Sequence, residues 1–181
     1  AKKLNKIEEL KKLRSPEEAF SQLKHYAKNG YESICEEDKD YFLKCFGVYD
    51  KNETTPEKFM IRVRISGGHL SSTQARVLGE IAKEYGQDYI DITTRAQIEF
   101  RYIDIKDIIT IFEKMASVGI SSHQTGVDNF RNIVNDPLDE MGFDNILPSQ
   151  KLLIKLQDKF LHNYEWIAAL PRKFNTSITG S

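Results

Sequence analysis

Cysteine is scarce in this chain: Cys35 and Cys45 are the only two among 181 residues. They stand ten apart in a helical context with no second pair, which is neither a zinc nor an iron–sulfur framework and leaves two reduced, structural thiols as the expectation. The four histidines, His25, His69, His123 and His162, lack any ligand spacing, so no metal site is expected among them. No apolar run approaches the ~20 residues that cross a bilayer, and the charged start lacks a signal-peptide core, so a cytoplasmic protein with no membrane partner is expected. Charge of one sign is missing too. A net charge of −1 gives no global field to recruit nucleic acid, so any anion site must come from local arrangement.

What is present reads as a soluble α+β chain in three stretches. Residues 1–48 look helical, with "SPEE" placing Ser15 as N-cap, Pro16 in the first helical position and Glu18 closing a capping box. The helix should run to Asn29-Gly30, and Tyr41, Phe42 and Cys45 suggest a second short one. "YDKNETTPEK", Tyr49–Lys58, reads as a polar linker. From Phe59 the texture alternates, with Phe59, Ile61, Val63 and Ile65 on one face and Met60, Arg62, Arg64 and Ser66 on the other. A helix capped by Ser71 and Gln74 should bury Ala75, Leu78, Ile81, Ala82 and Tyr85. Two strands, "YIDIT" and "QIEFRYI", follow, then a helix from Asp104 to Gly119, and "ISSHQ" can return as a strand. That order over residues 59–122 is the split βαβ pattern of a ferredoxin-like unit. Residues 123–181 change character again, with an amphipathic helix from Pro148 expected to bury Leu152, Leu153, Leu156 and Phe160.

Cations sit among short hydrogen-bonding residues in four places: Arg62 and Arg64 on a strand, Arg95 in "TTRAQ", Arg131 in "DNFRN", and Arg172 and Lys173 in "PRKFN". The solvated face of a half-buried sheet would account for the first pair alone. Converging on one face, the set would hold a polyanionic cofactor or a small oxyanion, because guanidinium forks grip carboxylates and Lys adds a mobile charge. An RNA-binding module, with Phe100 and Tyr102 as stacking rings, and a small-ligand-sensing ferredoxin-like module are the readings from other classes. The balanced charge and the lack of an aromatic-rich recognition signature argue against nucleic acid.

"FMIRVRISGGHLS", "DITTRAQIEF", "TGVDNFRN" and "LPRKFN", in this order, resemble the N-terminal half of the siroheme-dependent nitrite and sulfite reductases. The resemblance covers residues 59–181. It implies a ferredoxin-like half-domain over 59–122 and the start of a siroheme/4Fe-4S domain over 123–181. It also implies an oxidoreductase, active at full length, that carries out six-electron reduction of nitrite to ammonia or sulfite to sulfide, with ferredoxin or a flavoprotein as donor. By that resemblance Arg62, Arg131, Lys173 and Asn175 would face the substrate anion. Arg64, Thr93, Thr94, Arg95, Asn129 and Arg172 would bind siroheme carboxylates, whose burial needs cationic partners. The family's cluster cysteines lie beyond the "LPRKF" motif. This chain is therefore expected to be an N-terminal piece that needs its missing C-terminal half, and to bind no cofactor and do no catalysis alone. Two positions depart from the family pattern, Ala96 and Glu99, each standing where a Gln is usual. Asn175, where sulfite reductases tend to carry a second lysine, tilts the expectation toward nitrite.

Overall fold

The computed structural model describes residues 6–180. Helix α1 (Lys6–Leu10) leads to α2 (Pro16–Asn29), whose start carries both halves of the expected capping box: Ser15 Oγ accepts from the Glu18 N–H, and Glu18 accepts from the Ser15 N–H. Such a cap contributes about 1 kcal/mol. A π-turn over Asp38–Phe42 runs into α3 (Leu43–Cys45). Strands β1 (Val48–Asp50), β2 (Phe59–Val63), β3 (Ile90–Ile92) and β4 (Ile98–Ile103) form one antiparallel sheet in the order β1-β2-β4-β3. Helices α4 (Ser72–Tyr85) and α5 (Ile108–Ala116) pack on it, and Ser71 and Gln74 close the second capping box. The architecture is the ferredoxin-like α+β half-domain that the pattern of strands and helices predicts.

Three expectations are corrected. The polar run 49–58 does not part the head from the rest: its first two residues belong to strand Val48–Asp50, which pairs with Phe59–Ile61, and 51–58 form the hairpin connection between the two strands. Leu23, Tyr26, Tyr41, Phe42 and Phe46 of the head share one buried cluster with Val48, Ile61, Phe100, Ile103 and Ile111. Secondly, "ISSHQ" contributes only an isolated bridge, Ser121 to Arg64. The turn through Gly47 occupies the place beside β2 instead. Its carbonyl accepts from the Arg62 N–H at 2.8 Å, and a Cβ there would lie 2.4 Å from Ser122 O and 2.8 Å from Arg62 O. With φ at +80°, only glycine fits this wedge comfortably.

The third correction concerns burial. Helix α6 is shorter than expected (Gln150–Gln157); Leu153 and Phe160 are buried, with Ile133, in a small second cluster, but Leu152 and Leu156 are exposed. In α4, Ala75 is exposed and half-buried Val77 packs against the core instead. On β2 the supposedly polar face is not solvent: Met60 and Arg64 are buried along with the apolar set. The tail is not a loose end. Strand β6 (Ser177–Ile178) pairs in parallel with β5 (Val134–Asn135), and Phe174 bridges to Phe130 ahead of it.

Candidate functional site

Across the open face of the sheet, register places Arg62 of β2 opposite Glu99 of β4, and Glu99 opposite Asp91 of β3. Glu99 Oε1 accepts from Arg62 Nε at 2.7 Å and also meets Arg62 Nη2 at 2.7 Å. Its Oε2 meets Arg101 Nη2 at 3.0 Å, and Arg101 Nε donates to Asp91 at 2.6 Å. On the other side, Arg62 Nη1 donates to the Tyr49 hydroxyl at 3.2 Å, with the guanidinium 4.8 Å from the Tyr49 ring centroid. Glu99 is only 6% exposed, so a carboxylate that would be costly alone is held by two guanidinium groups.

Arg64, two residues on and just past the end of β2, has a different fate. It is 3% exposed and donates to four main-chain carbonyls: His123 at 3.3 Å, Gln124 at 3.0 Å, Phe130 at 2.6 Å and Arg131 at 3.0 Å. Burial, with Arg131 and Arg95 nearby, pushes its pKa down to about 9. Its donors are spent on pinning the loop 123–131, so Arg64 is a structural residue of that loop and not a free cation facing a cofactor. Asn129 is fully buried and equally committed: Nδ2 donates to Gly126 O, and Oδ1 accepts from the Ala168 N–H at 2.7 Å. Arg131 keeps more freedom. Its Nε donates to Val127 O and Nη1 to Thr125 O, with the Tyr49 hydroxyl beside it. Burial and repulsion from Arg62 and Arg95 lower its pKa.

The turn between β3 and β4 is built by Thr93, whose Oγ1 accepts from the N–H groups of Arg95 and Gln97. Ala96 closes it at a φ of +53°, against the Gly68 backbone of the loop after β2. Thr94 is exposed. Arg95 then reaches across to the tail, where its Nη1 donates to Asn175 Oδ1 at 2.7 Å, joining residues eighty apart in sequence. The tail reaches this place because Phe174 exchanges main-chain hydrogen bonds with Asn129 and Arg131. Its ring lies 5.1 Å from that of Phe130. Arg172 and Lys173 flank that contact and are exposed.

The sequence-selected residues thus fall into two sets. Arg62, Arg95, Arg131 and Asn175 converge, with Arg172 and Lys173 on the adjoining tail; Arg64 and Asn129 are consumed beneath them, and Thr93 shapes the turn. Two residues that pattern reasoning missed belong to the same place. Tyr49 lay in the supposed linker. Asn132, fully buried, donates through Nδ2 to Ile65 O and Arg95 O, while its Oδ1 accepts from no donor among the described residues. The Asn adjoining Arg131 in "DNFRN" was the available signal.

Guanidinium groups gathered on one face, with the Arg131 pKa lowered first by burial and then by the Arg62 and Arg95 charges, fit a group rich in carboxylates. The donor set for an iron–sulfur cluster does not fit. Among the described residues, no group of three or more His, Cys, Asp or Glu side chains could hold a metal ion, and burial pushes the Cys45 thiol up, away from the thiolate.

A four-stranded antiparallel sheet with two packed helices defines the class: an α+β ferredoxin-like half-domain. Residues 52–118 match the nitrite/sulfite reductase ferredoxin-like half domain. The chain thus carries, over that segment, the ferredoxin-like half domain of the nitrite and sulfite reductase family. It is 39% identical over 181 residues to a ferredoxin–nitrite reductase of Leptolyngbya laminosa, covering 98% of this chain and 35% of that protein. It is 28% identical over 193 residues to a ferredoxin sulfite reductase of Mycobacterium tuberculosis, again 98% of this chain and 35% of that one. The structure of the Mycobacterium tuberculosis NirA protein superposes with a TM-score of 0.90 at 27% identity, over 98% of this chain and 35% of that one. The chain therefore spans about a third of the length of these relatives.

Proposed function

We propose that this chain is the N-terminal part of an assimilatory-type reductase that uses siroheme and a 4Fe-4S cluster to reduce nitrite to ammonia, with ferredoxin as the electron donor in the cytoplasm. The observation that carries the reading is the contact between Arg95 and Asn175, which brings two separate motifs onto the cationic face that Arg62 and Arg131 already share. Ferredoxin is named for the related nitrite and sulfite reductases. Sulfite is the alternative substrate, and residues 123–180 are the start of the domain that would enclose the macrocycle. When bound, siroheme supplies the iron that takes the anion and delivers electrons to it. Arg95 and Arg172 would hold its carboxylates, with Thr93 and Thr94 at the rim.

The chain's own residues would do the electrostatic part. Arg62 and Arg131 are oriented before any ligand arrives, by Glu99 and Tyr49 in one case and by Val127 and Thr125 carbonyls in the other. Donors fixed in advance stabilise negative charge as N–O bonds break without reorganising at that moment. Lys173, exposed, is the proton donor, and Asn175, held by Arg95, presents a neutral amide suited to a monoanion. The cluster ligands are assigned to sequence outside this chain.

The test is the intact protein expressed with siroheme supply. Siroheme absorption bands and nitrite reduction with reduced ferredoxin are expected. An intact protein that lacks those bands, or that carries no two cysteine pairs beyond residue 181, overturns the assignment.

A further inference from the structure

We infer that Glu99 is a positioning and charge-setting residue for the anion site, fixing Arg62 and cancelling its charge so that the site suits a monoanion better than a dianion. This rests on the reductase reading above and deepens it. Glu99 stands in the centre of a row that crosses three strands, Arg62–Glu99–Asp91, and Arg101 closes the row from the next outward-facing position on β4. Two cations and two carboxylates sum to zero. Arg62 spends Nε and Nη2 on Glu99 and points Nη1 at the Tyr49 hydroxyl, so its plane is defined on both edges. The remaining cations of the face, Arg95, Arg131, Arg172 and Lys173, make no ion pair among the described residues. Among the described residues, Arg62 is therefore the one arginine of the proposed anion site (Arg62, Arg95, Arg131 and Arg172) whose charge a carboxylate offsets.

A carboxylate and an amide at position 99 would both accept from Arg62, but only the carboxylate offsets its charge. The consequence scales with the charge of the ligand. Freeing one unit charge about 10 Å from a bound anion, at an effective dielectric of about 20, changes a monoanion's affinity about tenfold and a dianion's about a hundredfold. A loss of packing would move both anions by a similar factor. The ratio of the two is therefore the diagnostic quantity.

The experiment uses the intact holoenzyme, with nitrite and sulfite dissociation constants measured by optical titration without turnover, at a pH where sulfite is a dianion. Glu99→Gln should tighten nitrite by about tenfold and sulfite by about the square of that factor. Glu99→Asp, which keeps the charge, should stay near the starting protein. Arg101→Gln, on the more exposed end of the row, should act in the opposite direction, weakening sulfite more than nitrite, and it serves if Glu99→Gln does not fold. Equal factors for the two anions, no change in either, or Asp behaving as Gln does would overturn the inference while leaving the reductase reading intact. A starting protein that binds neither anion would instead remove the reductase reading, and this inference with it.

Discussion

Arg64 gives the sharpest energetic prediction. A buried guanidinium carries a penalty, and its depression from 12.5 to about 9, by burial first and then by the Arg131 and Arg95 charges, corresponds to about 5 kcal/mol unfavourable to the charged form. Against that stand four hydrogen bonds from a charged donor to carbonyl oxygens, at about 1.5–3 kcal/mol each. Taking the middle of that range, the balance leaves Arg64 stabilising by about 4 kcal/mol. Arg64→Met keeps the bulk, removes the penalty and orphans the carbonyls of His123, Gln124, Phe130 and Arg131. A loss of about 4 kcal/mol should lower the melting temperature of a chain this size by about 10 °C. Arg64→Lys should recover little, because one ammonium cannot span acceptors that the fork serves from three nitrogens. Chemical denaturation measures the loss, and hydrogen exchange at 121–131 locates it. If Arg64→Met costs less than about 1 kcal/mol with unchanged exchange in that segment, the arginine does not hold the loop.

Three further predictions follow from neighbouring features. His123 sits among the rings of Phe20, Phe46, Phe112 and His162, and burial, followed by the His162 and Arg64 charges, pushes its pKa down to about 3. The unfolded chain takes up a proton near pH 6.5 that the fold refuses, so stability should fall as pH drops from 6.5 toward 3, by up to about 1.4 kcal/mol per pH unit; His123→Phe should flatten that slope in denaturation at pH 4–6.5. Gly126→Ala should disrupt the site loop, because the new Cβ would stand 2.0 Å from Lys44 O and 2.7 Å from the Tyr49 hydroxyl, whereas Gly79→Ala, with open space in α4, should stabilise by about 0.5–1 kcal/mol; equal melting temperatures for the two would refute the packing argument. Asn175→Lys removes the acceptor for Arg95 and sets a cation beside it, so the intact enzyme should lose nitrite kcat/KM and shift its preference toward sulfite; an unchanged ratio would show that Asn175 does not discriminate.

Legibility followed the range of the interaction. Both capping boxes could be read because Ser15 to Glu18 and Ser71 to Gln74 are complete within four residues. The order of strands and helices could be read because each period is local. The sheet's far edge could not, since alternation marks "ISSHQ" and "VYD" equally as strands and says nothing of which lies beside β2. Gly47 decides it, through a close approach to Arg62 and Ser122 that no pattern records. Tyr102, which a strict period of two would set on the face of Ile98 and Phe100, instead takes a φ of +62° where the β2–β4 register shifts, and its ring meets Tyr89. A bulge of one residue reverses the face, so the alternation that identified the core also misplaced that ring.

The same limit explains the arginines. Arg62 and Arg64 have the same residue type and the same facing, and the sequence distinguishes them by nothing within reach. What separates them is the partner each meets: Glu99 thirty-seven residues away for one, and the carbonyls of a loop about sixty residues away for the other. The helical head enters this arrangement directly. Lys11, in the turn just after α1, forms an ion pair with Asp128 at 2.9 Å and donates to Leu170 O at 2.8 Å, so it clips together the loop that carries Arg131 and the start of the tail that carries Asn175. With the tail running in parallel along 130–135, the two motifs are held by main-chain bonds on one side and by Lys11 on the other. The cationic face therefore depends on backbone geometry set far from its own charges, which is why its composition was visible in the sequence and its division into held and free arginines was not.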